Sequence, residues 1–184
     1  MVFYGVMYTR DILLKEKRTR GSWLSAPKRA SARTLTLDSP MTMKVRLYNI
    51  CSHIRAVLDD HKSLPHIPEI SPGLLTHFPS GCCKYTAFIV MYYLNKYESV
   101  SIDNLTLLAN ANIGKGTHAW AKCHDYHLDI TGDQFGGLPV WVDTRNPWPD
   151  SNPTMHPFAD NPVNDHTIPI MNQLCDHIAS RRKI

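Results

Sequence analysis

The sequence predicts an α+β domain: an antiparallel sheet with helices packed on one side. Three observations predict it. Apolar residues recur at helical spacing in two separated segments, over 47–58 and 168–178. The run TAFIVMYYL is apolar almost all round, which marks a buried central helix. Between that run and the last helix, two short segments flank His124–Asp125 as the arms of a hairpin.

Taken in order, the first helix starts near Thr42 and carries Leu47, Ile50, Cys51, Ile54, Val57 and Leu58 on one stripe. Asp59, Asp60 and His61 lead into HKSLPHIPEISPG, where three prolines stop any helix; this crossing ends at LLTHFPSG. The second helix is expected from about Cys83 to Tyr97, with Pro79 and Gly81 suited to the tight approach before it. THAWAKC and YHLDIT form the hairpin over 117–131, and LPVWVD (138–143), preceded by Gly136–Gly137, is a third strand. Residues 144–166 hold five prolines and no periodicity, which predicts a long loop. The last helix, from about Thr167, turns Ile168, Met171, Leu174, Cys175 and Ile178 to one face. Pro169 sits in its first turn, and Arg181, Arg182 and Lys183 suit its C-terminal dipole. No internal repeat is present.

The 184 residues are 43% apolar and 20% charged, an ordinary globular composition rather than a disordered one. No run of about 18 apolar residues exists to span a membrane. The opening MVFYGVMYTRDILLKEKR lacks the basic, apolar, small-residue order of a secretory signal, so a cytoplasmic location is expected. Five irregularly spaced cysteines argue against a secreted disulfide framework. The net charge of +4 is unevenly spread: residues 1–40 hold eight Lys/Arg against three Asp/Glu, and residues 41–184 hold twelve against thirteen. Residues 1–40 are therefore expected to be a basic, disordered N-terminal extension, and residues 41–184 the folded domain. Other readings of the first segment are an arm for an acidic partner or upstream sequence before a start at Met41 or Met43. Nucleic acid is not an expected partner, because the body lacks a basic balance.

Two segments carry the residues for chemistry. Gly81-Cys82-Cys83 opens the buried second helix. A thiol at a helix start meets unpaired N–H groups and the positive end of the dipole, which favour thiolate and can hold an oxyanion. Cys83 falls at the first helical turn; Cys82 falls in the preceding turn and points elsewhere. Taken alone, the two cysteines read first as small buried hydrophobes. In the hairpin, a tip at His124–Asp125 pairs Cys123 with Tyr126, Lys122 with His127, Trp120 with Asp129 and His118 with Thr131. Strand alternation then puts His118 and Asp129 on one face as diagonal neighbours, close enough for a carboxylate to bond an imidazole. The order Cys, His, Asp on a helix start and two adjacent strands is more specific than either half.

Those residues carry a resemblance. FPSGCCKYTA at 78–87, followed by HAWAKCHDYHLDITGDQF at 118–135, resembles the papain-like cysteine superfamily, its transglutaminase-like branch and small bacterial and phage proteins of that pattern. The likeness covers under a third of the chain, and the doubled cysteine departs from the simplest pattern. It implies a nucleophile at the N-terminus of a buried helix packed on an antiparallel sheet that carries His and Asp. It makes Cys83 the nucleophile, His118 the general base and Asp129 the orienting acid. It implies acyl transfer or hydrolysis through a thioester, as a peptidase, amidase or acyltransferase. The substrate would be a peptide, a protein or an amide-containing small molecule; no cofactor, metal or membrane is implied. The Cys83 N–H would be one oxyanion donor, with His77, Asn112 and Gln134 open candidates for the second. Trp120 and Trp141 would wall a cleft or fill a core, and the 144–166 loop would border the cleft or simply be mobile. The alternatives are a catalytically inactive papain-like binding module, a zinc protein drawing on Cys82, Cys83, His118, Cys123, His124, His127 and Asp129, or a nucleic-acid-associated protein. No standard zinc spacing is present. Cys51 and Cys175 read as core, and His124 as solvated.

Overall fold

The computed structural model describes residues 40–60, 77–113, 116–160 and 167–182. The basic segment expected over 1–40, its last residue apart, and the proline-rich crossing up to residue 76 lie outside them.

Among the described residues the elements are α1 (Pro40–Asp59), α2 (Cys83–Glu98), β1 (Leu105–Asn112), β2 (Thr117–Cys123), β3 (Tyr126–Asp129), β4 (Trp141–Asp143), β5 (Thr154–Pro157) and α3 (Thr167–Ser180). The fold is α+β: the five strands form one antiparallel sheet in the order β4-β3-β2-β1-β5. No helix among the described residues is long and apolar enough to cross a membrane.

Alternation along the strands decides which face meets the helices. Leu105, Leu107 and Ala109 of β1, Ala119, Ala121 and Cys123 of β2, and Leu128 of β3 join the main core. The helical stripes meet them there: Leu47, Ile50, Ile54 and Leu58 of α1, Ile89, Val90, Met91 and Leu94 of α2, and Met171, Leu174 and Ile178 of α3. Each such side chain, fully buried, contributes about 1.5–3 kcal/mol of transfer free energy. The opposite face holds a smaller cluster, Leu108, Ala111 and Trp120, with Trp148 against it. α2 ends where Ser99 enters the left-handed region (φ 56°) and the Val100 N–H closes on the Leu94 carbonyl at 3.1 Å. The buried Glu98 carboxylate is held by Arg46 of α1 and by Arg182 just past α3.

The β2–β3 register is the one expected, with Cys123 opposite Tyr126, Lys122 opposite His127 and Ala121 opposite Leu128. Three other expectations change. β1 lies where no strand was expected. Its alternation is broken by a bulge: Leu108 faces Trp120 but the next pair is Ala111–His118, with Asn110 at φ 59°. β4 begins at Trp141 rather than Leu138, because Gly137 turns its N–H back onto the Gly132 carbonyl and Pro139 has no N–H for a ladder. The 144–166 segment is not all loop: β5 pairs with β1 along the sheet edge. An edge strand is held through its backbone, so its mostly exposed side chains need show no period, and Pro157 is tolerated at its end.

Candidate active site

Two chain turns and one strand end converge at the start of α2. The first turn, His77 to Gly81, is closed by the Ser80 N–H on the His77 carbonyl at 2.7 Å. Gly81 sits at φ 73°, where L side chains are strained, so glycine fits the sharp entry into the helix. Cys82 is the N-cap and Cys83 the first helical residue.

The two thiols have opposite environments. Cys82 is buried and donates to the Pro79 carbonyl at 3.1 Å; burial, then the neighbouring Cys83, pushes its pKa up to about 12. Cys83 is only partly buried. Burial acts to raise its pKa, but the neighbouring His118, whose buried Nδ1 has no other partner among the described residues, and the backbone N–H groups of Ala119 and Lys84 carry it below the ordinary thiol value. The thiols of Cys51, Cys123 and Cys175 lie in the core and are pushed up by burial.

His118 is buried on β2 beside the β1 bulge, which re-aims the strand at that point. Its Nε2 lies 2.7 Å from Asp129 Oδ2, which leaves Nδ1 as the nitrogen available to the thiol. Burial favours the neutral ring; Asp129 first and Cys83 second reverse this and raise its pKa to about 9. The Asp129 carboxylate, buried at the end of β3, is fully engaged. Oδ1 accepts from the Thr131 N–H at 2.9 Å and its hydroxyl at 3.3 Å, and Oδ2 also accepts from the Trp148 indole N–H at 3.0 Å.

Aromatic rings enclose the imidazole. Phe135 meets it edge-on at 4.9 Å, Trp148 edge-on at 5.6 Å, and Trp120 stacks at 5.7 Å. An apolar enclosure of this kind strengthens the hydrogen bonds inside it. The structure thus brings Cys83, His118 and Asp129 together and turns Cys82 away. Of the candidate oxyanion donors, His77 is exposed, and Asn112 is exposed at the end of β1, opposite Thr117. Gln134 donates its amide to the Thr131 carbonyl at 3.0 Å. His124 is exposed at the hairpin tip, and Trp120 bonds His127 Nδ1 at 2.9 Å within the smaller cluster. Among the described residues, no three His, Cys, Asp or Glu are placed to share a metal ion.

Three residues outside the sequence reading matter here. Trp148 covers Asp129, and the signal for it was a large aromatic inside a proline-rich stretch. Phe135 follows the Asp-x-Thr turn. Arg55 of α1 is buried, and its guanidinium donates to the Ile130 carbonyl at 2.8 Å and to both Asp133 oxygens at 2.9 and 2.8 Å. A cavity of about 240 Å³ opens beside Asp129, between Trp141, Trp148 and Leu138. A larger cleft of about 590 Å³, bordered by α1 and Arg181–Arg182, holds none of these residues.

Glycine makes the room for Trp148. A Cβ on Gly137 would lie 2.9 Å from the indole Cη2 and 3.2 Å from the Gly132 carbonyl. Gly137→Ala is therefore expected to push the indole off Asp129 and cost about 1–3 kcal/mol, the usual range for overpacking. Urea denaturation measures the loss, and tryptophan emission should shift to the red; an unshifted spectrum with full stability would contradict the packing.

Comparison of the chain with protein-family models, curated proteins and solved structures gives no match.

Proposed function

We propose that residues 41–184 form a papain-like, transglutaminase-like cysteine domain that performs acyl transfer or hydrolysis on peptides, proteins or amide-bearing small molecules. One observation carries the reading. A partly exposed thiol at a helix N-terminus, its pKa lowered, meets an imidazole whose other nitrogen is bonded to a buried carboxylate at 2.7 Å.

In this reading the resting state is a thiolate–imidazolium pair. The Cys83 sulfur attacks the carbonyl carbon, and the π electrons move to oxygen. The Cys83 backbone N–H, at the helix start with no intrahelical partner, is one donor to that oxyanion. Collapse expels the amine, which takes the proton from His118 Nδ1 and leaves a thioester. Water, or a second amine, then attacks the thioester as His118 takes its proton; the acyl group departs and the thiolate returns. Asp129 fixes the ring through His118 Nε2 and stabilises the imidazolium.

The test is thiol reactivity against pH in wild type, Cys82→Ala, Cys83→Ala and His118→Ala, with limiting iodoacetamide and sites read by mass. Cys83 is expected to alkylate rapidly at about pH 6, well below the ordinary thiol pKa of about 8.5. The His118→Ala variant should slow it, and Cys82→Ala should not. Reactivity no faster than a model thiol would remove the nucleophile and leave a non-catalytic binding module of the same fold.

A further inference from the structure

Beyond the three residues of the triad, one side chain joins the two turns on which it depends. The turn after β3 runs through Gly132–Phe135 and ends at Gly136, φ 85°. Gln134 lies on it. Its Nε2 donates to the Thr131 carbonyl at 3.0 Å, and its Oε1 accepts from the Gly81 N–H at 3.2 Å. Thr131 is the residue whose N–H and hydroxyl hold Asp129 Oδ1. Gly81 is the sharp residue two places before Cys83. One amide therefore touches both the turn that fixes the acid and the turn that presents the sulfur. A second direct tie near it comes from Arg55, which grips Asp133 and covers the Phe78 ring at 4.6 Å.

We infer that Gln134 is a positioning residue: its amide sets the approach of Cys83 to His118 by fastening the Gly81 turn to the Asp129 turn. The inference rests on the cysteine-enzyme reading. Both of its bonds are to backbone groups of the two turns, so it acts through them. Its bonds lie at the surface end of the site, away from the main core. Loss of them should thus loosen the site without unfolding the domain. The thiol would sit farther from the imidazolium, and its thiolate fraction would fall.

The test uses the full chain with Gln134→Met, which has similar length but no amide, and Gln134→Asn, which has the amide but is one methylene too short. Each is assayed for melting temperature and for Cys83 alkylation by iodoacetamide from pH 5 to 9. The expected result is a melting temperature near that of wild type and an alkylation rate at pH 6 about tenfold lower, with the midpoint about one unit higher. Wild-type melting with an unshifted alkylation profile in both variants overturns the inference and leaves the cysteine-enzyme reading standing. A large drop in melting temperature in both overturns it as well, because the amide then holds the fold. If one variant fails to fold, the profile of the other decides. If wild-type Cys83 is itself no more reactive than a model thiol, the enzyme reading fails first, and the positioning role falls with it.

Discussion

If Cys83 carries out the acyl transfer proposed above, Asp129→Asn is expected to slow it by about 10⁴-fold, the scale for converting such a carboxylate to an amide. The hydrogen bonds explain why an isostere is so costly here. Both carboxylate oxygens accept from two donors: Thr131 N–H and hydroxyl on one side, His118 Nε2 and Trp148 Nε1 on the other. An amide has one accepting end, so in either orientation its NH₂ faces donors. The imidazolium also loses its stabilising charge, and the His118 pKa should fall from about 9 toward its ordinary 6.5. The sign for stability follows. A raised histidine pKa means that the bound proton stabilises the native state fully below about pH 6.5, a contribution lost as pH rises through about 9. The pH-dependent part of the difference between wild type and Asp129→Asn should therefore close across that window. Denaturant titrations at pH 6, 7.5 and 9.5 check this; a gap independent of pH would show that His118 is not charged in the native state. In the alkylation profile, the midpoint should move to higher pH in the variant, because the imidazolium that favours the Cys83 thiolate is weakened.

Arg55→Met should be strongly destabilising although it lies away from Cys83, His118 and Asp129. Arg55 is buried and partners Asp59, both oxygens of Asp133 and the Ile130 carbonyl, while lying over Phe78. Methionine fills most of the volume but leaves Asp133 and that carbonyl without their donor. Breaking a buried ion pair from one side costs about 3–5 kcal/mol. Asp133 keeps 31% side-chain exposure, so water offsets part of the loss and the lower end, about 3 kcal/mol, is expected. For a domain of this size that is a melting shift of roughly 6–12 °C. Asp133→Asn, which keeps an acceptor, should cost less. Equal stability of Arg55→Met and wild type would mean that the cluster is dispensable.

Much of this arrangement was legible in the sequence, because the relevant signals are local. Helical stripes gave α1 and α3, and the all-round apolar run gave α2 with Cys83 at its head. Alternation on either side of His124–Asp125 set the β2–β3 register, and with it the His118–Asp129 pairing. What stayed hidden depends on distant contacts. β1 is masked by its own bulge, whose extra residue shifts the period midway. β5 is an edge strand held by its backbone, with Met155 largely exposed, so no apolar pattern marks it. Trp148 and Arg55 reach Asp129 and Asp133 from segments far along the chain, and nothing in their own neighbourhoods announces the target. Gln134 was picked out only as a candidate oxyanion donor; its tie to the Gly81 N–H, a backbone group, leaves no trace in composition.

The sequence order of the centre gives the chain a built-in chronology. During synthesis Cys83 emerges before His118, His118 before Asp129, and Asp129 before Trp148. Until β2 docks against the start of α2, the sulfur has no imidazole beside it and behaves as an ordinary thiol. A nascent or collapsed chain therefore carries no sharpened nucleophile to modify itself, its neighbours or the machinery handling it. The lowered pKa of Cys83 thus dates the docking of β2 against the start of α2, because His118 and the Ala119 N–H are what lower it.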